Sequence, residues 1–390
     1  MTMSSPSVAV VGVGSTGAMA MWQLAKRGVR VTGFERFSPG HDRGAHGGET
    51  RIFRTAYQES PDYVPLLVRA KELWQQLEEE TGAELLNLAG VLTIGAADTP
   101  QLTNVMASIA EYGLTAEQLS VEEARNRYPQ HAVGDDESVV LDRNAGFLRP
   151  ERAVLHASRR AEQLGATLHT YTKVTAIEPD QHGVTVRTDG GTERFDHVVV
   201  ATGPWATQLL GGFGYDASVI QVRRIVQMWF PAKDPALFRP DRCPVFIRVS
   251  PVPYYGLPAA DGAGLKLGVF TEENRVVTDP DDFDSRVGVG EIASFRDTVA
   301  ELLPQLFPEP VRIGAFMEGY TPDSDGLIGA LPGADNVTLL VGFSGHGFKL
   351  APAFGALAAD AVLGTRTTPS LPRLDPAREL STHPREVQRT

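Results

Sequence analysis

Arg51 and Arg54 stand three residues apart in AHGGETRIFR (45–54), in a run with neither a clean helical nor a clean strand period. A guanidinium presents a planar fork of donors that matches a carboxylate in two parallel hydrogen bonds, so an arginine placed here could clamp an anion. The competing reading is a solvated loop, because arginine is mostly exposed in folded chains. Gly12, Gly14 and Gly17 in GVGSTG form the second chemical signature. Glycines at that spacing allow a tight turn, close approach of backbone to a pyrophosphate, and close helix–strand packing. The histidines and acids show no metal-ligand spacing and no supported Ser-His-Asp arrangement, so no metal site is expected. The single cysteine, Cys243, excludes an intrachain disulfide and a thiolate metal cluster.

The glycine turn has the elements it needs on both sides. VAVV (8–11) is a continuous apolar run, as in a strand buried on both faces, and AMAMWQLAKRG is a helix pattern stopped at Gly28. The helix start at Ser15 and Thr16 offers free N–H groups and the positive end of a dipole to phosphates. VRVTGFE (29–35) ends on Glu35, whose carboxylate can accept from ribose hydroxyls and would repel a 2′-phosphate. A dinucleotide site follows, with FAD or NAD as the choice. The N-terminal position, and a later apolar strand HVVVATG (197–203) ending on Thr202 and Gly203, favour FAD. Trp205, just beyond, reads as packing beside that strand.

PLLVRAKELWQQLEEETG carries an apolar helical face closing at Gly82, SVEEARNRYP opens with a Ser120/Glu123 capping box, and PERAVLHASRRAEQLG starts on Pro150. VTVRTDGGTERF reads as a hairpin. Residues 219 to about 270 are largely strand-like, and NVTLLVGFSGHGFKLAPAFGALAADAVLG is strand, glycine turn and helix. The polar tail after about Pro372 is expected to fray. The fold class is therefore mixed α/β, with a Rossmann-like FAD-binding domain over 1–80, 150–215 and 322–380. A second, antiparallel-sheet substrate domain over 81–149 and 216–321 is inserted discontinuously.

The 390 residues suffice for two domains, and 42% apolar with 22% charged residues is ordinary for a soluble globular chain. A formal charge of −12 argues against nucleic acid or an anionic membrane as partner. MTMSSPS lacks the layout of a secretory signal, so a cytoplasmic enzyme, monomeric or a small homo-oligomer, is expected.

From VAVVGVGSTG through GETRIFRTAY, YYGLP and GLKLG to GFSGHGFK, the chain resembles the sarcosine oxidase and N-methyltryptophan oxidase group of the D-amino-acid-oxidase-like flavoproteins. The resemblance implies Arg51 beside the flavin and Arg54 on the substrate carboxylate, with Lys349 as a second carboxylate-binding cation. It implies that Lys266 activates dioxygen, although strand alternation with Leu265 and Leu267 alone would put that lysine on an open face. Tyr255 matches an aromatic lining residue, and Val174 a backbone contact to adenine. Gly345, His346 and Gly347 would bring amides near the flavin ring. Arg36, Arg43, Gly48, Thr50, Phe348 and Lys349 complete the expected cofactor-binding set.

The departures carry information too. Phe316 stands where family members have the cysteine that attaches flavin covalently, so a non-covalent FAD is expected. Glu318 replaces an aromatic pocket position, and Phe270 and Gly47 replace histidines. The pocket is thus rearranged on the side away from the carboxylate clamp, and a larger secondary or cyclic amino acid becomes as good a substrate as sarcosine. The expected activity is FAD-dependent oxidation of a secondary amino acid to an imine, with O2 reduced to H2O2. Its rivals are a flavin dehydrogenase of hydroxy or amino acids that uses another electron acceptor, a nicotinamide-dependent dehydrogenase, and a flavin-binding protein without turnover.

Overall fold

In the computed structural model, which describes residues 5–262, 264–270 and 275–380, the strand Ser7–Val11 lies inside a six-stranded sheet. Arg30–Phe34 and His197–Val200 flank it in parallel. Thr167–His169 and Ala334–Val341 extend the two sides in parallel, and Leu327–Leu331 closes one edge antiparallel. The unbroken apolar run has a direct cause. Val8 and Val10 pack against the core made with the helices Ser15–Lys26, Pro150–Gln163 and Ala351–Leu363, while Ala9 and Val11 pack with Val184, Val186 and Phe195 on the other face. Those three belong to a separate three-stranded antiparallel sheet. In it, Thr188 pairs with Gly191 across a two-residue Asp189-Gly190 turn, the hairpin expected from DGG.

Eight strands form the second large sheet, running in order through Arg312–Tyr320, Gln221–Phe230, Leu265–Val269, Tyr254–Leu257, Val245–Arg248, Val91–Ala96, Glu137–Asp142 and Ala116–Leu119. It is antiparallel except where Val245–Arg248 runs parallel to Val91–Ala96. Its core packs Met228, Phe230, Leu265 and Leu267 against Phe295 and Val299 of the helix Val289–Leu302. Cys243 is fully buried in this core, and burial pushes its thiol up to about 12, so it is unreactive at neutral pH.

The arginine run is not a free loop. Arg51–Phe53 is a short strand antiparallel to Gly146–Leu148, which also pairs with Leu86–Asn87. The Ser120 capping box is present, and Pro150 sits in the first turn of its helix. The expected fraying after Pro372 does not begin there. Pro372–Leu374 is a helical turn, and Arg378 pairs with Asp323 at 2.8 Å while donating to the Gly326 carbonyl at 3.0 Å. Residues 381–390 lie outside the described residues. Among the described residues, no helix is long and apolar enough to cross a membrane.

Candidate active site

A cleft of about 370 Å³ opens at the end of Ser7–Val11. Gly12 has φ +83°, and a Cβ there would lie 2.7 Å from the Ala201 carbonyl oxygen; one at Gly17 would lie 1.9 Å from the Gly12 carbonyl oxygen. Neither position admits a side chain. Gly14 differs, because the nearest atom to a Cβ would be 3.6 Å away, on the His46 ring. Its missing side chain leaves room for a ligand rather than for protein. The helix Ser15–Lys26 has no side-chain cap and no acid in its first turn, so its first amides face the cleft unclaimed.

Glu35 is buried at the cleft wall, where its two carboxylate oxygens accept from the amides of Val13 and Phe37, each at 2.8 Å. Thr202, also on the wall, has a buried hydroxyl oxygen with no hydrogen-bond partner among the described residues. A wall with free helix amides, a glycine opening and an unpartnered hydroxyl fits a dinucleotide. Of the expected cofactor set, Ser15, Thr16, Arg36, Arg51, Val174, Gly203, Trp205, Gly345, Gly347 and Phe348 also line this cleft.

Others in that set stand back from it. Arg43 is exposed, with its guanidinium 4.7 Å from the centre of the Phe37 ring. Gly48 and Thr50 turn their carbonyls to Lys266, which is 2% exposed and donates to Gly48 O at 3.0 Å and to Thr50 O. From the other side, Glu151 accepts from the amides of Gly48 at 2.7 Å and Glu49 at 3.0 Å. The loop is therefore gripped through both its amides and its carbonyls. Burial drives the Lys266 ammonium well below its ordinary pKa, with Arg51 pushing the same way and Glu151 and Glu49 opposing. Arg51 itself donates to Thr50 O at 2.9 Å and Ala45 O at 2.8 Å while lining the cleft.

His346 and Lys349 lie behind Gly345 and Gly347, where they join Arg54. Lys349 Nζ and the Arg54 guanidinium stand 5.3 and 5.1 Å from the centre of the same ring, Tyr57. The Tyr57 hydroxyl bonds His346 Nδ1 at 2.9 Å, and His346 Nε2 is 2.8 Å from the Ser324 carbonyl. Lys349 Nζ donates to His346 O at 3.1 Å, and burial lowers its ammonium to about 7. Arg54 is 5% exposed and pairs through Nη2 with Glu59, while its buried Nε and Nη1 have no partner among the described residues. Burial raises the Glu59 carboxyl, but Arg54 and Lys349 outweigh it and hold that group below its ordinary value. Two cations share one protein anion, with donors to spare.

The eight-stranded sheet supplies Glu318 to the cleft wall, while Tyr255, expected as an aromatic lining residue, and Phe316 stand on the same sheet outside that lining. Tyr255 accepts from Gln227 Nε2 at 2.9 Å, and a Cβ on Gly268, its partner across the strand, would lie 2.2 Å from the Tyr255 ring. Glu318 accepts from the Tyr320 hydroxyl at 2.9 Å and has no ion pair among the described residues. Phe270 is 51% exposed, its ring 5.4 Å from that of Tyr255. A Cβ on Gly47 would lie 2.7 Å from the Phe316 ring, so the phenyl group fills the space that a side chain at 47 would take.

The family model described as FAD dependent oxidoreductase matches residues 7–361. The chain belongs to that family. It is an FAD-dependent oxidoreductase, and the cleft is where its residues fit the cofactor. The monomeric sarcosine oxidase of Streptomyces avermitilis is 35% identical over 375 residues, covering 95% of this chain and 97% of the relative. The N-methyl-L-tryptophan oxidase of Citrobacter koseri is 33% identical over 363 residues, covering 91% and 94%. Among solved structures, the amino acid oxidase NikD in its open form superposes with a TM-score of 0.83 at 24% identity, over 97% of this chain and all of that one. Glycine oxidase from Geobacillus kaustophilus gives 0.80 at 24% identity, over 96% and 100%. These two show the fold.

Several members of the cluster escape sequence reading: Tyr57, Glu59, Gln227 and His46. His46 lines the cleft with its ring held neutral, lowered to about 3 by burial, then by His41 and Arg51. The available signal for Glu59 was an acid five residues beyond Arg54 in the same motif-bearing segment.

Proposed function

We propose that the protein oxidises a secondary amino acid, N-methyl, N-alkyl or cyclic, to its imine, with O2 as electron acceptor and H2O2 as product. The observation that carries this reading is the pair of buried cations, Arg54 and Lys349, with unclaimed donors on Arg54. A substrate carboxylate docks there, because an anion satisfies the guanidinium atoms that are otherwise buried without partners. The relatives' printed names, sarcosine oxidase and N-methyl-L-tryptophan oxidase, support the substrate class.

FAD, when bound, supplies the acceptor for the hydride that leaves the carbon next to nitrogen, and O2 takes the electrons onward. The chain orients and shields. Gly12, Gly14, Gly17, Ser15, Thr16, Glu35 and Thr202 hold the dinucleotide end, while Arg51, Gly345 and Gly347 line the far end. Lys266 places its ammonium behind the Gly48–Thr50 loop, where positive charge favours reduction of O2. The nitrogen of the substrate must be neutral to lose hydride. FAD is bound without a covalent link, since Phe316 offers no thiol and Cys243 is buried in the other core.

The division into a cofactor domain (1–80, 150–215, 322–380) and a substrate domain (81–149, 216–321) is supported by the two large sheets, while the small sheet of Arg51–Phe53, Gly146–Leu148 and Leu86–Asn87 bridges it. Every strand of the six-stranded sheet falls in the first set, and every strand of the eight-stranded sheet in the second. The protein works in the cytoplasm as a monomer or small homo-oligomer.

Anaerobic addition of N-methyl and cyclic amino acids, then of hydroxy-acid analogues, tests the activity through the visible flavin band. Bleaching by the amines with recovery and peroxide in air supports it. Bleaching by hydroxy acids alone, without recovery in air, replaces it with a carrier-linked dehydrogenase.

A further inference from the structure

Residues 275–288 precede the helix Val289–Leu302 and are tied to the substrate-side sheet. They are moored at both ends. The Arg224 amide donates to Arg275 O at 2.9 Å and the Val277 amide to Val222 O at 2.8 Å; the buried Arg224 guanidinium holds Asp284 O at 3.0 Å and pairs with Glu291. Between these moorings, the turn Pro280–Asp282 reaches the opposite part of the molecule. There Asp281 accepts from Trp205 Nε1 at 2.7 Å, from Lys173 Nζ at 3.3 Å and from Arg36. Asp279 accepts from Gln208 Nε2 at 2.9 Å and caps the turn through the Asp281 amide at 2.9 Å.

The four residues gripped this way, Arg36, Lys173, Trp205 and Gln208, all line the dinucleotide cleft, whereas Asp279 and Asp281 do not. The two aspartates therefore act from behind the wall. The end they hold is the one beyond Glu35, which the glycine turn and the strand ending on Glu35 assign to the adenosine half of the cofactor. Arg36 is packed 5.6 Å from the Trp205 ring and 5.3 Å from the Phe37 ring, so a single carboxylate fixes one face of that end. Burial works against the charge on Asp281, yet Arg36, Trp205 and Lys173 together hold its carboxyl well below its ordinary range.

We propose that Asp281 is a positioning residue for FAD, a clasp contributed by the substrate-side sheet that closes the adenosine end of the cleft and slows cofactor release. The inference stands whatever amine is oxidised. It also gives a physical role to the 280–282 turn in a chain whose Phe316 provides no covalent tether. The Asp281 and Arg36 side chains are about 30% exposed, so the contribution is moderate rather than decisive.

The test is release of flavin from the purified holoprotein after dilution, followed by flavin fluorescence, in wild type, Asp281→Ala and Asp281→Asn. Asp281→Ala should release FAD about tenfold faster, equivalent to about 1.4 kcal/mol. Asp281→Asn should fall between, since its oxygen still accepts from Trp205. The thermal midpoint of the apoprotein reads the tie between the two parts on its own and should fall somewhat in Asp281→Ala, because Trp205, Lys173 and Arg36 lose their acceptor there too; the positioning role is read from release. Hydrogen exchange over residues 203–210 of the holoprotein, faster in Asp281→Ala, reads the clasp even if flavin stays attached. Unchanged release would overturn the proposal, and faster exchange beside it would leave Asp281 as a structural tie only.

Discussion

Glu59 holds one nitrogen of Arg54 and leaves the other two buried without partners. A guanidinium so placed is fixed in direction by one carboxylate and short of another, which is the condition for binding an anion without reorganising first. Replacement of Arg54 by Ala removes both charged hydrogen bonds to a docked carboxylate, at about 1.5 kcal/mol or more each. KM for a carboxylate-bearing amine should rise roughly 100-fold, while the flavin spectrum of the variant stays that of wild type. Equal KM values for the two proteins would move the substrate elsewhere.

Lys349 gives the clamp a pH dependence with a definite sign. Burial is the largest influence on it, Arg54 and Arg51 lower it further, and Glu59 and Glu318 oppose, leaving its ammonium at about 7. His346, beside it, is held below its ordinary value by burial, against the pull of Glu59. Below about 7 the lysine is charged and attracts a carboxylate; above that value it loses its proton and the attraction. The dissociation constant of a simple carboxylate inhibitor such as propionate should be flat between about pH 5.5 and 7, where the inhibitor is ionised, and then weaken towards the value that Arg54 alone supports. Lys349→Met should bind weakly at every pH. A wild-type profile that stays flat to pH 9 would show that Lys349 takes no part.

How much of this was readable beforehand follows from geometry at particular residues. Gly12 and Gly17 were legible because each answers a local backbone need, and local needs repeat wherever a strand turns into a helix. Glu59 was not, since five residues of irregular chain carry no period that would bring it to Arg54. Lys266 misleads by alternation. Leu265, Lys266 and Leu267 are all buried, because one face of the strand meets the second core and the other meets the Gly48–Thr50 loop. Alternation distinguishes inside from outside only when one face of a sheet meets water. The parallel pair in the eight-stranded sheet, and the arc of chain that carries Asp281, depend on contacts between segments far apart in sequence.

Lys266→Met should separate the two halves of turnover. On the role proposed for Lys266, its loss takes a preorganised donor away from O2 reduction, so reoxidation of reduced flavin should slow by about 100-fold, the usual scale for one such donor. Anaerobic reduction by substrate should change far less. Stopped-flow measurement of both halves checks this, and equal slowing of the two would assign Lys266 to holding the Gly48 and Thr50 carbonyls instead.

Gly47 and Phe316 should behave as a pair in which the small residue serves the large one. Gly47→Ala puts a methyl 2.7 Å from the Phe316 ring and 2.7 Å from the Asp42 carbonyl oxygen, an overpacking that costs about 1–3 kcal/mol. Phe316→Ala removes only the first clash and opens a void of its own, so the double variant should lose less thermal stability than the sum of the two single losses. Acid precipitation of the wild type should leave the yellow colour in the supernatant. Colour retained in the pellet would mean a covalent link through some residue other than Phe316.

Glu318 is a cleft-lining carboxylate with one neutral donor, Tyr320, and no ion pair among the described residues. A carboxylate held this way lowers the energy of a nearby cation. If the substrate nitrogen sits close, Glu318 favours its ammonium form, which cannot lose hydride, and Glu318→Gln should shift the acid limb of the reduction rate to lower pH. If instead the substrate carries a second cation, Glu318 pairs with that group, and Glu318→Gln should raise KM for an Nα-methyl lysine while sparing its uncharged analogue Nα-methyl norleucine. Measuring the pH profile and both KM values in the one variant separates the two roles. No change in any of the three would leave Glu318 as a partner of Tyr320 alone and remove it from the site.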